Sequence, residues 1–186
     1  MAVKLMKNDL RVKVSRYMSY LLRHNPKDLF VDEYGFVDLD KLIEKLNQCF
    51  GVDKIFVLDI VEKSGRKRFE VVENKIRALY GHTILVKLEF EEDKTVKVLY
   101  HGTTPGAASK ILRKGLKPMK RRWVHLSPTV EVAREVGMRR TRSPTILEID
   151  VEVARKNRLK FFRATEKVYL CKSIPPKHIR LVKLGA

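Results

Sequence analysis

Leu99-Tyr100-His101-Gly102-Thr103-Thr104-Pro105 reads as the end of a strand running straight into a helix. Val96, Val98 and Tyr100 alternate as one face of a strand does, and Thr104-Pro105 is an N-cap and first-turn pair for a helix ending at Gly115. The strand end exposes His101, Gly102 lets another backbone or a flat ring approach, and Thr103 sets a hydroxyl at the edge of a cleft. Taken alone, such a turn uses Gly and Thr for local reasons. A second triplet of the same form, His125-Leu126-Ser127, lies on the strand Trp123 to Ser127, again with a histidine and a hydroxyl on one face. Two such triplets point to one shared pocket.

Downstream, Pro128 to Val136 reads as a helix and Thr145 to Val151 as a strand with Leu147 and Ile149 inward; Leu159 to Arg163, Val168 to Lys172 and Ile179 to Val182 complete a β-rich second half. Upstream, Val86, Leu88 and Phe90 alternate in a strand joined to Val96–Tyr100 by the acidic turn Glu91 to Lys94. The lobe boundary falls at that turn, giving residues 1–92 and 93–186. In the first lobe Leu10, Val14, Tyr17, Met18, Leu21 and Leu22 follow helical spacing until His24-Asn25-Pro26 stops the helix, leaving Arg23 and His24 at its C-terminus. Asp38 caps a second helix and Asp53 a third, Lys54 to Glu62, and Arg68–Val72 and Lys75–Leu79 pair around Glu73-Asn74. Three helices and a hairpin make a winged-helix-like lobe, and the expected fold class is α+β.

The 186 residues carry 40 Lys+Arg against 22 Asp+Glu, a net charge of +18. With 44% hydrophobic residues, 9 Gly and 7 Pro the chain is globular rather than disordered or fibrous. No apolar run reaches the roughly 18 residues of a membrane span, and Met1 to Leu10 lacks the apolar stretch of a signal peptide, so a cytoplasmic protein without membrane contact is expected. Cys49 and Cys171 fit no metal or redox pattern, and the five histidines have no zinc spacing, so no metal is expected. The charge is lopsided: Met1–Lys94 are net +2 and Thr95–Ala186 net +16, with six basic residues and no acid between Arg113 and Arg122. Such a run suits a polyphosphate or a nucleic-acid backbone, or is a solvated basic face.

His-Gly-Thr on one strand and His-Leu-Ser on the next resemble the NAD-binding lobe of ADP-ribosyltransferase folds. Further segments narrow the resemblance to the RNA 2′-phosphotransferase family, in the family's order: Leu21-Leu22-Arg23-His24-Asn25-Pro26, Tyr34-Gly35-Phe36-Val37, which is similar to a turn of the family, Ile76-Arg77-Ala78-Leu79-Tyr80-Gly81-His82, Val136-Gly137-Met138-Arg139 and Ile174-Pro175-Pro176. The resemblance implies Arg23, His24, Arg77 and Arg139 as the catalytic set, acting between an N-lobe and an NAD-binding C-lobe, with His101, Gly102, Thr103, His125 and Ser127 lining the NAD site. It implies an enzyme that removes an internal 2′-phosphate from RNA, typically the splice-junction phosphate of tRNA, and consumes NAD. The phosphate would attack C1″ of the nicotinamide ribose and expel nicotinamide. The ribose 2″-OH would then attack phosphorus, releasing 2′-OH RNA and ADP-ribose 1″,2″-cyclic phosphate. A monomer is expected.

The chemistry suits these side chains. A phosphate monoester with a second pKa of about 6 is nearly dianionic at neutral pH, and planar, permanently charged guanidiniums hold it without protonating it. His24 suits either hydrogen bonding or acid–base work. Each residue also has a plain reading: Arg23 and His24 as a helix C-terminus, Arg77 as an exposed strand residue, Arg139 as one of a basic loop with Arg140 and Arg142. Many ADP-ribosyltransferases carry a late-strand glutamate; here Glu166 and Val168 compete for that position, two residues apart and therefore on one face of a strand. Two other functions fit the sequence: a transferase that stops after ADP-ribosylating a phosphate or protein, and a winged-helix nucleic-acid-binding module without catalysis.

Overall fold

The computed structural model describes residues 2–63 and 67–182, with the backbone alone for 2–8. Among these residues six helices and three small antiparallel sheets make a mixed α/β chain that divides into two units, Met1–Glu89 and Phe90–Ala186. No described helix is long and apolar enough to cross a membrane.

In the first unit α1 (Ala2–Arg23) buries Val14, Met18, Leu21 and Leu22. It ends because the His24 and Asn25 amides both turn back onto the Tyr20 carbonyl (2.9 and 3.1 Å) and Pro26 cannot continue it. Gly35-Phe36-Val37, expected to be a turn, instead leads into a strand, β1 (Phe36–Asp38). The Asp32 carboxylate collects the Tyr34 and Phe36 amides (3.0 and 2.9 Å), so the turn is complete before Phe36 and the chain leaves it extended. Helix α2 (Leu39–Phe50) is capped by Asp38, which accepts from the Lys41 amide, and closed by Gly51 at φ +64; Asp53 caps α3 (Lys54–Glu62) on the Phe56 amide. The hairpin of β2 (Phe69–Val72) and β3 (Lys75–Ala78) takes β1 on its free side, in the order β1-β3-β2. Ile76 and Ala78 point into the helices' core, so Lys75 and Arg77 point out of it.

The expected strand over Val86–Phe90, where the first unit ends, is absent. Val86 is buried and its neighbours alternate in exposure, but Lys87 makes a single amide bond, to the Glu33 carbonyl (2.7 Å), and no ladder follows. Alternation reports faces, not a partner. Glu91 and Glu92 are themselves a short strand, β4 (Glu91–Glu92), opposite Arg163 and Phe162, and not the turn of a hairpin. Then follow β5 (Val98–Thr103), α4 (Pro105–Lys114) with its Thr104 cap, β6 (Val124–Leu126), α5 (Val130–Gly137) capped by Thr129, and β7 (Thr145–Asp150). Residues 151–156 form α6 (Val151–Lys156), unforeseen because β-branched Val151 read as the end of the strand; Asp150 caps it through the Val153 amide (2.9 Å). The chain closes with β8 (Phe162–Thr165), β9 (Val168–Cys171), a 3-10 turn over Pro176–His178 and β10 (Ile179–Leu181). Two sheets result, β10-β7-β5 and β4-β8-β9-β6. They meet where Tyr100 and Ser127 exchange both main-chain hydrogen bonds, each 2.8 Å. Leu99, Leu126, Leu147, Ile149 and Phe161 fill the core.

Asp93 fixes the loop between β4 and β5. Its Oδ1 accepts from the Thr95 and Val96 amides and the Thr95 hydroxyl, and its Oδ2 from the Tyr169 hydroxyl (3.2 Å). Burial by itself would raise the carboxyl's pKa, but these donors outweigh it and hold it at about 2. A pKa depressed below the unfolded value of about 3.9 gives stability that is complete above that pH and lost as pH falls towards 2. Wild-type protein is therefore expected to lose about 2 kcal/mol of unfolding free energy between pH 4 and 2 that Asp93→Asn does not lose. Urea titrations of the two proteins at both pH values measure it; equal losses would remove the assignment.

Candidate active site

Arg23 is the last residue of α1 and 7% exposed. Its guanidinium lies 4.9 Å from the centre of the Tyr80 ring and 5.9 Å from that of Phe69, a cation–π seat. Gly81, at φ +90, passes so close that a Cβ there would sit 3.6 Å from Arg23 Cδ, in a backbone conformation that side chains avoid. The Arg23 carbonyl accepts from the Thr83 amide (2.9 Å) and hydroxyl (3.3 Å). That same hydroxyl is 3.1 Å from His24 Nδ1. Since it donates to the carbonyl, it accepts from Nδ1–H, which makes Nδ1 the protonated nitrogen of this contact.

Arg77 is not a plain exposed strand residue. The sheet register sets Phe36 directly opposite it on one side and Glu70 on the other. Its guanidinium lies 4.4 Å from the Phe36 ring centre, and Nε and Nη2 donate to Glu70 Oε2 at 2.8 and 2.7 Å. Nη1 adds the Tyr34 carbonyl at 3.4 Å. The first unit thus joins Arg23 and His24 through Thr83, and anchors Arg77 separately on Glu70 and Phe36. Thr83, Tyr80 and Glu70 were not foreseen as supports; Glu70 was in principle readable, because a hairpin turning at Glu73-Asn74 places it opposite Arg77. His82 is 4% exposed, beneath Gly35, and so inside the unit.

In the second unit the two triplets do meet. The Tyr100–Ser127 pairing sets His101 beside β6, where its Nδ1 is 3.0 Å from the His125 carbonyl. A carbonyl only accepts, so Nδ1 carries the proton and Nε2 is the acceptor. Burial lowers the His101 pKa, and Arg140 lowers it further against the raising influence of that hydrogen bond, so the ring is neutral. His125 Nδ1 is likewise 3.0 Å from the Trp123 carbonyl. Thr103 and Ser127 are 8% and 5% exposed. At Gly102 the close approach is that of another backbone, one of the two alternatives expected: its open side faces α5, where a Cβ would lie 1.8 Å from the Ala133 carbonyl oxygen, so the glycine admits the helix. Arg139 is exposed just beyond α5, its amide directed at the Val136 carbonyl (3.4 Å). Glu166 lies in the turn between β8 and β9, exposed, while Val168 is buried at the start of β9; the two are not strand neighbours on one face. Among the described residues no cluster of His, Cys, Asp or Glu has the form of a metal site.

Guanidiniums preset on aromatic rings, as at Arg23 and Arg77, suit the binding of phosphate. The family model described as RNA 2′-phosphotransferase, Tpt1 / KptA family, matches residues 9–173, and the chain belongs to this family and is a transferase. A "Probable RNA 2′-phosphotransferase" of Pyrococcus abyssi is 44% identical over 170 residues, 90% of this chain and 93% of the relative. One of Bacillus thuringiensis is 40% identical over 182 residues, 95% and 98% of the two chains. A "Probable RNA 2′-phosphotransferase 2" of Archaeoglobus fulgidus is 38% identical over 181 residues, 96% and 83%.

Proposed function

We propose that the chain removes an internal 2′-phosphate from RNA, of the kind left at a tRNA splice junction, with NAD as the consumed co-substrate. In this reading the first unit is a winged-helix-like RNA lobe, supported by the element order α1-β1-α2-α3-β2-β3 and the β1-β3-β2 sheet, and the second an ADP-ribosyltransferase-like lobe. Arg23, Arg77 and Arg139 hold the phosphate dianion, and His24 bonds it or moves its proton. The residues at the β5–β6 seam fit NAD: His101 Nε2 accepts from a ribose hydroxyl or carboxamide N–H, and Thr103 and Ser127 add hydroxyls. NAD supplies the electrophilic C1″ and a nicotinamide leaving group. The protein acts as a cytoplasmic monomer.

The observation that carries the reading furthest is the meeting of His101, His125 and Ser127 at one seam, since a nucleic-acid-binding module has no use for a neutral, oriented imidazole there. Incubation with NAD and an RNA bearing one internal 2′-phosphate is expected to give 2′-OH RNA, nicotinamide and ADP-ribose 1″,2″-cyclic phosphate. Accumulation of ADP-ribosylated RNA without release would favour a transferase that stops after the first step. No NAD-dependent change at all would remove the reading.

A further inference from the structure

A cavity of about 140 Å³ opens in the first unit, walled by Phe30, Phe36 and Val37 and edged by Asp38, Lys41 and Lys75. At about 30 Å³ per water it holds some five water molecules' worth of space, room for one flat ring system and not for a whole nucleotide. Its walls are unusual for a surface hollow. Phe30 is 80% exposed, an aromatic face offered to solvent with no core reason for being there. Phe36 lines the cavity and also seats the Arg77 guanidinium, 4.4 Å from its ring centre, so the cavity lies one aromatic ring away from the guanidinium.

We propose that this cavity is a base-binding pocket for the RNA nucleotide next to the 2′-phosphorylated one. This assignment rests on the reading above, in which Arg77 grips the 2′-phosphate. The pocket has each kind of group that unpaired RNA requires. Phe30 provides a stacking face, which suits any base. Asp38 spends Oδ1 on the Lys41 amide to cap α2, and its other carboxylate oxygen is an acceptor for an exocyclic amino group. Lys41 and Lys75 flank the rim as cations for the adjoining phosphodiesters; Lys75 is 3.8 Å from Asp32 with its side chain 61% exposed, loosely paired and able to swing to a phosphate. Aromatic face, amino-edge acceptor and flanking cations in one hollow fit a splayed-out base with its backbone passing outside.

A binding cycle without NAD tests it, using a short single-stranded RNA with one 2′-phosphate and versions abasic at either neighbouring nucleotide. Phe30→Ala is the variant of choice because that side chain is exposed, and an unchanged melting temperature checks the fold. Phe30→Ala should bind the intact RNA about 10-fold more weakly than wild type and one of the abasic RNAs equally well, since the stacking partner is already missing there. Lys75→Ala should weaken both and reduce the salt slope by about one unit. Equal binding of intact RNA by wild type and Phe30→Ala would overturn the pocket, as would an equal loss on intact and both abasic strands. A wild type that bound 2′-phosphorylated and 2′-OH RNA alike would count against the 2′-phosphate reading instead, and the Phe30 cycle would still decide the pocket.

Discussion

Arg139→Ala should lower turnover of a 2′-phosphorylated RNA by about 10²-fold or more while the unfolding midpoint stays where it is. The side chain is exposed beyond the end of α5, so its removal opens no cavity in the core. A preorganised donor lost from a phosphoryl-transfer transition state costs about 2.7–4 kcal/mol, the equivalent of 10²–10³ in rate. Arg77→Lys should be nearly as damaging as Arg77→Ala, because an ammonium cannot reproduce the fork that meets Glu70 and lies along Phe36. Arg23 is the least clean of the three sites, since alanine there empties the space between Tyr80 and Phe69 and its kinetics must be read beside a melting curve. Single-turnover rates on one RNA decide the matter. Near-normal rates in folded Arg139→Ala and Arg77→Lys proteins would end the idea of a shared arginine clamp.

Gly102→Ala should destabilise the protein by about 3 kcal/mol or more, at the upper end of what overpacking costs. The added Cβ would stand 1.8 Å from the Ala133 carbonyl oxygen and 2.7 Å from its carbon, both main-chain atoms of α5, so no rotamer change relieves it. The contact is mutual: Gly137 near the other end of α5 is closed in by Pro144, where a Cβ would fall 2.5 Å from the ring, and by the Gly102 carbonyl carbon at 3.3 Å. For a chain of this size each kcal/mol is worth roughly 2–4 °C, so a fall of about 6–12 °C in melting temperature is expected. A midpoint within a degree of wild type would show that α5 can move off β5. Substitution at Gly102 therefore reports first on the packing of α5 against β5.

Local signals set most of the elements. Asp38, Asp53 and Thr104 each cap the helix they were expected to cap, and Pro26 ends α1, because a cap or a proline acts on its own few residues. What failed depended on partners. Val86, Leu88 and Phe90 have a strand's alternation and no ladder, while Glu91 and Glu92, without such a pattern, pair with β8 some seventy residues away. The histidine triplets were visible as two separate strand ends, and their meeting rests on main-chain bonds between Tyr100 and Ser127 that no side chain announces. Arg77 was readable as an arginine on a strand, but its fixed posture was not, since half of it comes from β1, which passed for a turn. Gly102 shows the converse case, a glycine rightly marked for close approach whose neighbour is a helix.

The two reciprocal bonds of Tyr100 and Ser127 that join β5 to β6 are made by main-chain atoms, beside the His101 Nδ1 bond to the His125 carbonyl. Where the strands lie is thus independent of which side chains they carry at those two positions. In the proposed reading, an exchange of Ser127 for alanine alters the groups facing NAD and leaves these main-chain bonds in place. Such a scaffold would let evolution, or an engineer, retune that contact at residue 127 without rebuilding the wall in which it stands.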